Sequence, residues 1–316
     1  MSVILVTDRF DTIARVIDQL HRQTLAHQLE VVIVTPSKTE LRLDEAAAEG
    51  FAALKVLEFG SIDPMAPARA AGVRAATAPV VFLGESHSFP EPEFVAALLR
   101  AHEQPWDIVV PGVANANPDS VWSWAAFLMD YGQWSETLPA GEIGGGPTWN
   151  VSYKRAALLD LNAVLDRVLS SGDELPITLR ERGRRAYFEP AARIGHINFG
   201  RRGWTDERYL SGLMVGSHRK EMWSLARRIF YVCASPLIPV VILSRIVRPM
   251  RALEQTGALP RGIRSALMIG AVVRTAGEVV GYLAGATASA SSRMEQYELH
   301  KMRYAARPST SSETVA

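Results

Sequence analysis

Polar residues follow three of the apolar runs in the first part of the sequence. Thr7 and Asp8 come after SVILV, Thr35 and Ser37 after EVVIV, and the segment Gly84 to His87 after PVVFL. Hydroxyls, carboxylates and an imidazole are groups that bind phosphates, sugars and metal ions. Ligands of an open α/β sheet bind at the carboxyl ends of its strands, so we predict that these segments line one binding site.

The strands and helices expected to position these residues alternate along residues 2–200. After the first apolar run, residues 10–23 carry apolar side chains at helical spacing. The alternation continues to Phe188 with uninterrupted apolar strands, which favours a doubly wound, mostly parallel sheet covered on both faces. Residues 115–150 hold a Trp-rich, helix-like stretch and the segment GEIGGGP, and they are predicted to form a loop or lid over the sheet.

Charge is distributed unevenly along the 316-residue chain. Residues 1–200 hold 17 Lys+Arg and 25 Asp+Glu, whereas residues 201–264 hold 12 and 4. A basic block beside apolar stretches predicts an anionic partner. A surface of anionic lipids matches both the charge and the apolar side chains, so we do not expect nucleic acid as a partner. The single Cys233 forms no internal disulfide, and Met1 to Phe10 lacks the pattern of a signal peptide. We therefore expect a cytosolic catalytic part.

Two apolar stretches follow Gly200. Residues 229–244 carry no charge, but 16 residues with two prolines fall short of the roughly 20 that a spanning helix needs. Residues 266–288 are longer, but Arg274 and Glu278 share one helical face, so this stretch is amphipathic. We expect both to insert into one leaflet at the cytoplasmic face, as in a peripheral or monotopic protein. The alternative is a helical hairpin packed on the domain in water.

Six segments in this order resemble the family 2 inverting glycosyltransferases, which have the GT-A fold. The segments are SVILVTDR, EVVIVTPS, ARAAG, VVFLGESHSFPEPEF, GPTWNVSYKRAALLDL and GDELPITLRERGRRAYFEPAARIGH. The resemblance implies an α/β GT-A domain over residues 1–200 that binds a nucleotide-diphosphate sugar at its strand ends. A basic, apolar helical membrane-association region is then expected over 201–290, and a partly disordered tail over 291–316.

The resemblance places the acidic triplet that holds a divalent metal at Glu85, Ser86 and His87. The central residue departs from the usual aspartates because serine is neutral. In an extended segment Glu85 and His87 point to the same side, so a carboxylate and an imidazole remain to hold Mn²⁺ or Mg²⁺ and to contact the donor. His196 is implied to complete the metal site or touch the phosphates. The alternatives are a polar loop at Glu85 and His87 and a structural role for His196.

The resemblance also implies donor contacts at other strand ends. Thr7 and Asp8 match positions that contact the nucleoside, and Arg69 matches a basic residue near the diphosphate. Similar enzymes end the second strand in an aspartate that binds the nucleobase, whereas Thr35 and Ser37 stand there in this chain. Asp8 could instead cap the helix that follows it, and Arg69 could be a solvated arginine.

An inverting transfer needs a general base to deprotonate the acceptor hydroxyl. In the family this base is an aspartate just before a helix of the pattern EL..RLR..G. The segment GDELPITLRERG offers Asp173 first and Glu174 second, although strict alignment places the base at Gly172. Both acids also favour a helix N-terminus, which is the alternative explanation of their position.

The sequence thus predicts a glycosyltransferase that moves a sugar from a nucleotide-diphosphate donor to a hydroxyl of a glycan or lipid-linked acceptor. One alternative is a catalytically degenerate GT-A domain acting as a membrane-bound partner in polysaccharide assembly, which Ser86, Thr35 and Gly172 favour. Another is a sugar nucleotidyltransferase. The segment VTDRFDT argues against the latter because it lacks a Gly-rich phosphate loop.

Overall fold

The computed structural model describes residues 1–170, 172 and 174–305, with the backbone alone at Glu45 and Arg202. The chain divides into two compact units. The first comprises Met1–Ala114, Trp134–Gly195 and Glu298–His300. The second comprises Asn115–Gln133, His196–Tyr297 and the residues from Lys301 onward.

The strands are short, and most of the helices are short as well. The strands are β1 Ser2–Val6, β2 Glu30–Thr35, β3 Ala53–Glu58, β4 Val80–Leu83, β5 Ser88–Pro90, β6 Ile108–Asn115, β7 Gly141–Ile143, β8 Val151–Lys154 and β9 Ala186–His196. The helices are α1 Phe10–His21, α2 Lys38–Leu41, α3 Met65–Ala75, α4 Phe94–His102, α5 Val121–Asp130, α6 Arg155–Leu159, α7 Leu165–Val168, α8 Glu174–Glu181, α9 Arg201–Met222, α10 Leu225–Cys233, α11 Ile238–Gln255, α12 Ile263–Leu283 and α13 Ala288–Leu299.

The described strands form one sheet in the order β3-β2-β1-β4-β8-β6-β9-β5, with β7 paired to β9. Strands β1 to β4 pair in parallel, as the alternating pattern predicted. The side chains of β1, β2 and β4 are buried because helices cover both faces of such a sheet, whereas those of β3, at the end of the strand order, are half-buried or exposed. Helix α1 contributes the apolar face that the spacing predicted, and its buried residues are Ile13, Val16, Ile17 and Leu20. The predicted α/β core is therefore present in the first unit.

Strand β8 runs antiparallel to its neighbours. Leu83, the last residue of β4, pairs with Val151, the first residue of β8, and β6 also pairs with β8 in antiparallel register. The loop before an antiparallel strand meets the loop after its partner. Residues just before Val151 therefore lie at the same edge of the sheet as residues just after Leu83.

The prediction of a loop or lid over residues 115–150 was wrong in part. Ser120 begins helix α5 by accepting a hydrogen bond from the backbone N–H of Trp122 at 3.2 Å. Trp124 and Phe127 of this helix are buried, and strand β7 follows it. The helix-like character of the Trp-rich stretch is confirmed by α5, whereas strand β7 lies in the GEIGGGP segment, where no strand was predicted.

Helices α9 and α12 pack against each other in the second unit through glycines. Gly277 faces the backbone of Tyr209, and a Cβ on Gly281 would lie 2.6 Å from the carbonyl oxygen of Leu213. Trp204 lies against Gly270 near the start of both helices, so the two helices run parallel. Such close backbone approach requires residues without a side chain. The sequence analysis predicted a helical region over 201–290, but it did not predict this packing of α9 on α12.

A buried ion cluster joins α5 and α9. Arg208 is 1 % exposed and donates two hydrogen bonds of 2.7 Å to the carboxylate of Asp130, and it also contacts Glu207. Burial raises the pKa of Glu207 to about 7. Burial opposes ionisation of Asp130 as well, but the facing Arg208 outweighs this and holds the pKa of Asp130 below its usual value.

Apolar side chains are exposed on the helices after residue 222. Phe230, Leu237 and Val240 are each more than 60 % exposed. By length and composition alone, α12 could span a membrane, and α10 with α11 could do so if the bent pair is one span. Half of the apolar window in α12 is buried, which is also typical of a core helix in a soluble protein.

Candidate active site

The predicted triplet begins two residues after strand β4 ends. Glu85, Ser86 and His87 are all less than 10 % exposed, and Nε2 of His87 lies 3.5 Å from Oε2 of Glu85. Ser88 donates a hydrogen bond to the same carboxylate oxygen at 3.3 Å. The carboxylate and the imidazole thus lie side by side, as predicted, although Ser86 and His87 form a turn and not the extended segment from which this was inferred.

Asn150 holds the carboxylate of Glu85 in place. Its side-chain Nδ2 donates hydrogen bonds to Oε2 of Glu85 and, at 2.9 Å, to Oγ of Ser88. Its backbone N–H donates to the carbonyl of Leu83 at 2.8 Å, and its φ of 57° lies in the left-handed region that asparagine tolerates. The sequence analysis did not include Asn150 because this contact depends on the antiparallel direction of β8.

Two residues before Asn150 also contact predicted site residues. The guanidinium of Arg69 lies 3.7 Å from the ring centroid of Trp149, so Arg69 is not merely solvated. Thr148 donates a hydrogen bond of 2.8 Å to the carbonyl of Gly172. The segment Thr148–Trp149–Asn150 therefore connects the basic residue, the metal-ligand candidate and the segment of the expected base.

Asp8 follows β1 and does not cap helix α1. Arg9 is the N-cap of that helix and makes no side-chain cap bond, whereas Asp8 accepts from the hydroxyl of Thr12 at 3.5 Å. Its other carboxylate oxygen lies 3.3 Å from Nε2 of His300, near the end of the chain. Thr7 is fully buried, and its hydroxyl donates to the carbonyl of Arg9 at 2.8 Å.

The two hydroxyl residues after β2 make local contacts. Thr35 is buried and its hydroxyl donates to the carbonyl of Ser37 at 3.4 Å. The hydroxyl of Ser37 accepts from the backbone N–H of Glu40 and caps the short helix α2. A role of Thr35 and Ser37 in binding the nucleobase stays a prediction.

The predicted general base falls at the start of helix α8. Asp173 lies outside the described residues. Glu174 begins the helix, is 11 % exposed, and forms an ion pair with Arg167. Glu174 is close in sequence to Gly172, whose carbonyl Thr148 binds.

His196 is the last residue of β9 and belongs to the second unit. Its Nδ1 lies 2.9 Å from Oδ1 of Asn198, whose own Nδ2 donates to Asn115 and to the carbonyl of His196. Since an amide oxygen only accepts, Nδ1 carries the proton in the neutral ring and Nε2 keeps its lone pair. An imidazole oriented in this way is typical of a metal ligand.

The side chains at the end of β4 fit a divalent cation. Glu85 supplies a carboxylate that asparagine and serine orient, and His87 supplies an imidazole next to it. Carboxylate oxygen and imidazole nitrogen together suit Mn²⁺ more than Ca²⁺, which prefers oxygen ligands alone. The serine between them adds no charge to the site.

Comparison with known proteins identifies the class of this protein. The profile of Glycosyl transferase family 2 matches residues 2–160. The mannosyltransferase PcManGT from Pyrobaculum calidifontis, solved with GDP-Man and Mn²⁺, superimposes with a TM-score of 0.54 at 15 % identity over 89 % of this chain and 86 % of its own. S. aureus TarS, residues 1–349, gives a TM-score of 0.45 at 16 % identity over 94 % and 90 %. A comparison with curated protein sequences yields no match.

The family match covers half of the chain, and the chain therefore belongs to glycosyl transferase family 2. It is a glycosyltransferase with an α/β GT-A fold and a mostly parallel sheet, as the six sequence segments predicted. An apolar helix, α12, follows the GT-A part of the chain. The likeness to PcManGT concerns the fold alone.

Proposed function

We propose that this glycosyltransferase transfers the sugar of a nucleotide-diphosphate donor to a hydroxyl acceptor with inversion at the anomeric carbon. The observation that carries the proposal is the buried pair Glu85 and His87 at the end of β4, with Asn150 bound to the carboxylate. This is the edge of an α/β sheet at which ligands bind. PcManGT, which has the same fold, is in complex with a nucleotide sugar, GDP-Man.

We propose that Glu85 and His87 hold a divalent metal, Mn²⁺ or Mg²⁺, whereas the role of His196 stays a prediction from the sequence. One carboxylate oxygen and one imidazole nitrogen are suitable ligands for such an ion. When bound, the metal supplies positive charge where the departing diphosphate gains negative charge. The hydrogen bonds of Asn150 and Ser88 would keep Glu85 oriented. The presence of Mn²⁺ in PcManGT supports this choice.

The remaining predicted residues have roles in donor binding and proton transfer. We assign Arg69, which Trp149 orients, to the diphosphate, and Thr7, Asp8, Thr35 and Ser37 to the nucleoside. Asp173 would accept the proton of the acceptor hydroxyl as it attacks from the side opposite the leaving group. Glu174, which forms an ion pair with Arg167, is the second candidate.

We also propose that the protein acts at the cytoplasmic face of a membrane, on a glycan or lipid-linked acceptor. The exposed apolar side chains of α10 to α12 support this, since patches of this kind mark interaction surfaces. Basic residues flank them, which suits anionic lipid headgroups. These residues are Arg227, Arg228, Arg245, Arg248, Arg251, Arg261 and Arg264.

A donor-hydrolysis screen tests the proposed function. The protein is incubated with common UDP-, GDP- and dTDP-sugars, each with MnCl₂, with MgCl₂ and with EDTA, and released nucleoside diphosphate is measured. We expect hydrolysis of at least one donor, its loss in EDTA, and a strong reduction in Glu85→Gln and His87→Gln. Glu91→Gln is the control, because Glu91 is exposed. Hydrolysis that persists in EDTA would contradict the metal site.

A further inference from the structure

Three residues from near the end of the chain belong to the first unit and lie on the candidate donor site. These residues, Glu298–His300, are called the cover segment here. The backbone carbonyl of Leu299 accepts a hydrogen bond of 2.9 Å from the hydroxyl of Ser86. Nε2 of His300 lies 3.3 Å from Oδ2 of Asp8. The cover segment thus contacts the loops that follow both β1 and β4.

The third contact of the cover segment involves the metal-ligand candidate on β4. Oε2 of Glu298 lies 4.0 Å from Nε2 of His87. His87 is 1 % exposed and Leu299 and His300 are less than 10 % exposed, so His87 is closed off from water, whereas the side chain of Asp8 is 32 % exposed. A nucleotide sugar that arrives from solution reaches His87 only after some part of this covering moves.

We propose that the cover segment competes with the donor for Asp8, Ser86 and His87 and leaves them when a nucleotide sugar binds. The proposal rests on the donor site of the proposed function. It adds that the free protein holds this site closed with its own chain. Binding then includes the opening of the cover segment, and the apparent affinity falls by the fraction of molecules that are open.

The groups of the cover segment resemble those of a donor in their chemistry. The carboxylate of Glu298 faces His87 as an anionic phosphate would, and the carbonyl oxygen of Leu299 accepts the hydrogen bond that a phosphate oxygen could accept from Ser86. Nε2 of His300 lies next to the carboxylate of Asp8, in the place that a nucleobase N–H could take. Such contacts are exchangeable because donor and cover segment satisfy the same polar groups.

The double variant Glu298→Ala/His300→Ala tests the proposal without changing a residue of the donor site. Binding of UDP and of GDP, each with MnCl₂, is measured by calorimetry in the full-length protein and the variant. Loss of the two side-chain contacts should favour the open state and tighten binding of the accepted nucleotide about fivefold. His27→Ala is the control, because His27 is exposed and far from these contacts in sequence, and it should bind as the wild type does.

The outcomes separate this proposal from the proposed function. If the double variant binds nucleotide as tightly as the wild type or more weakly, the proposal that the cover segment competes with the donor is wrong, but the donor site is still supported. If neither the wild type nor the variant binds a nucleotide, the donor site itself fails, and the cover proposal fails with it. Binding by the variant alone would support both.

Hydrogen exchange of the wild type provides a measurement that needs no variant. The peptide containing residues 298–303 is followed with and without saturating nucleotide and MnCl₂. We expect faster exchange in this peptide when nucleotide is bound, because its backbone amides become more accessible to water once the cover segment leaves the site. Slower exchange would indicate a segment that closes over bound nucleotide, and would overturn the proposal.

Discussion

Asn150 donates hydrogen bonds from one amide nitrogen to the carboxylate of Glu85 and to the hydroxyl of Ser88. The amide is completely buried, and its backbone is anchored to the end of β4. A carboxylate that must hold a cation benefits from a fixed donor at its other lone pair, because the ligand is then oriented before the cation arrives. Asn150 is therefore a positioning residue for Glu85.

Replacement of Asn150 by glycine should weaken metal binding. Glycine adopts a φ of 57° without strain, so Asn150→Gly removes the amide while keeping the backbone conformation. We expect the affinity for Mn²⁺, measured by calorimetry, to fall about tenfold, which is typical for the loss of a hydrogen bond to a metal ligand. Asn162→Gly is the matched control, since Asn162 also has a positive φ but is exposed. An unchanged Mn²⁺ affinity in Asn150→Gly would contradict the positioning role.

The two candidates for the general base differ in their expected effects. Asp173→Asn should lower the turnover number about 100-fold or more with little change in donor affinity, since only the proton acceptor is lost. Glu174→Gln should have a smaller effect, because the ion pair with Arg167 already neutralises this carboxylate. Glu181→Gln at the other end of α8 is the control. Steady-state kinetics with the accepted donor measure all three, and the reverse order of effects would assign the base to Glu174.

The exposed apolar side chains of the second unit should bind lipid. The variant Phe230→Ser/Val240→Ser removes two side chains that are 64 % and 63 % exposed. We expect partitioning onto vesicles that contain anionic lipid to fall at least about tenfold, because each side chain loses its burial in the acyl region. High salt should weaken the initial electrostatic attraction of the protein to the vesicles but should not abolish binding, since salt screens charges and does not affect buried apolar side chains.

A control for the vesicle experiment comes from the first unit. Phe59 and Ile177 are 38 % and 43 % exposed, and Phe59→Ser/Ile177→Ser removes similar apolar area outside the helices after residue 222. This variant should sediment with vesicles as the wild type does. Equal sedimentation of both double variants would remove α10 and α11 from membrane binding.

His102 makes the first unit sensitive to acid. Burial lowers the pKa of His102 to about 4, and its ring lies 2.9 Å from the hydroxyl of Ser152. In the unfolded chain the pKa of this histidine is about 6.5. Between that pH and about pH 4, the unfolded state therefore binds a proton at His102 that the folded state does not bind. The contribution of neutral His102 to the free energy of unfolding is fully present above about pH 6.5. It decreases as the pH falls, by about 3 kcal/mol at pH 4.

Urea unfolding at pH 7.5 and at pH 4.5 measures this effect. The decrease in the free energy of unfolding between these two pH values should be smaller in His102→Asn than in the wild type by about 2 to 3 kcal/mol. His27→Asn, which changes an exposed histidine, should keep the decrease of the wild type. If His102→Asn lost as much stability as the wild type on acidification, another group would be responsible.

Local patterns in the sequence determined much of the first unit. Uninterrupted apolar runs predicted β1, β2 and β4, because a strand covered on both faces buries every side chain. The polar residues that end these runs placed Asp8 and Glu85 at the edge of the sheet, and the order of six segments predicted the family. Each of these inferences depends on residues that are close together along the chain.

Tertiary structure alone decided the contacts between residues far apart in sequence. The direction of β8 brings Asn150 to Glu85, and a periodicity of two is the same in a parallel and an antiparallel strand. Likewise, the glycines of α12 have a packing role only because α9 lies against them. The contact of His300 with Asp8 joins residues nearly 300 positions apart, and no local sequence pattern predicts such a contact. Long-range pairing is set by the packing of the whole core, which a single sequence does not display.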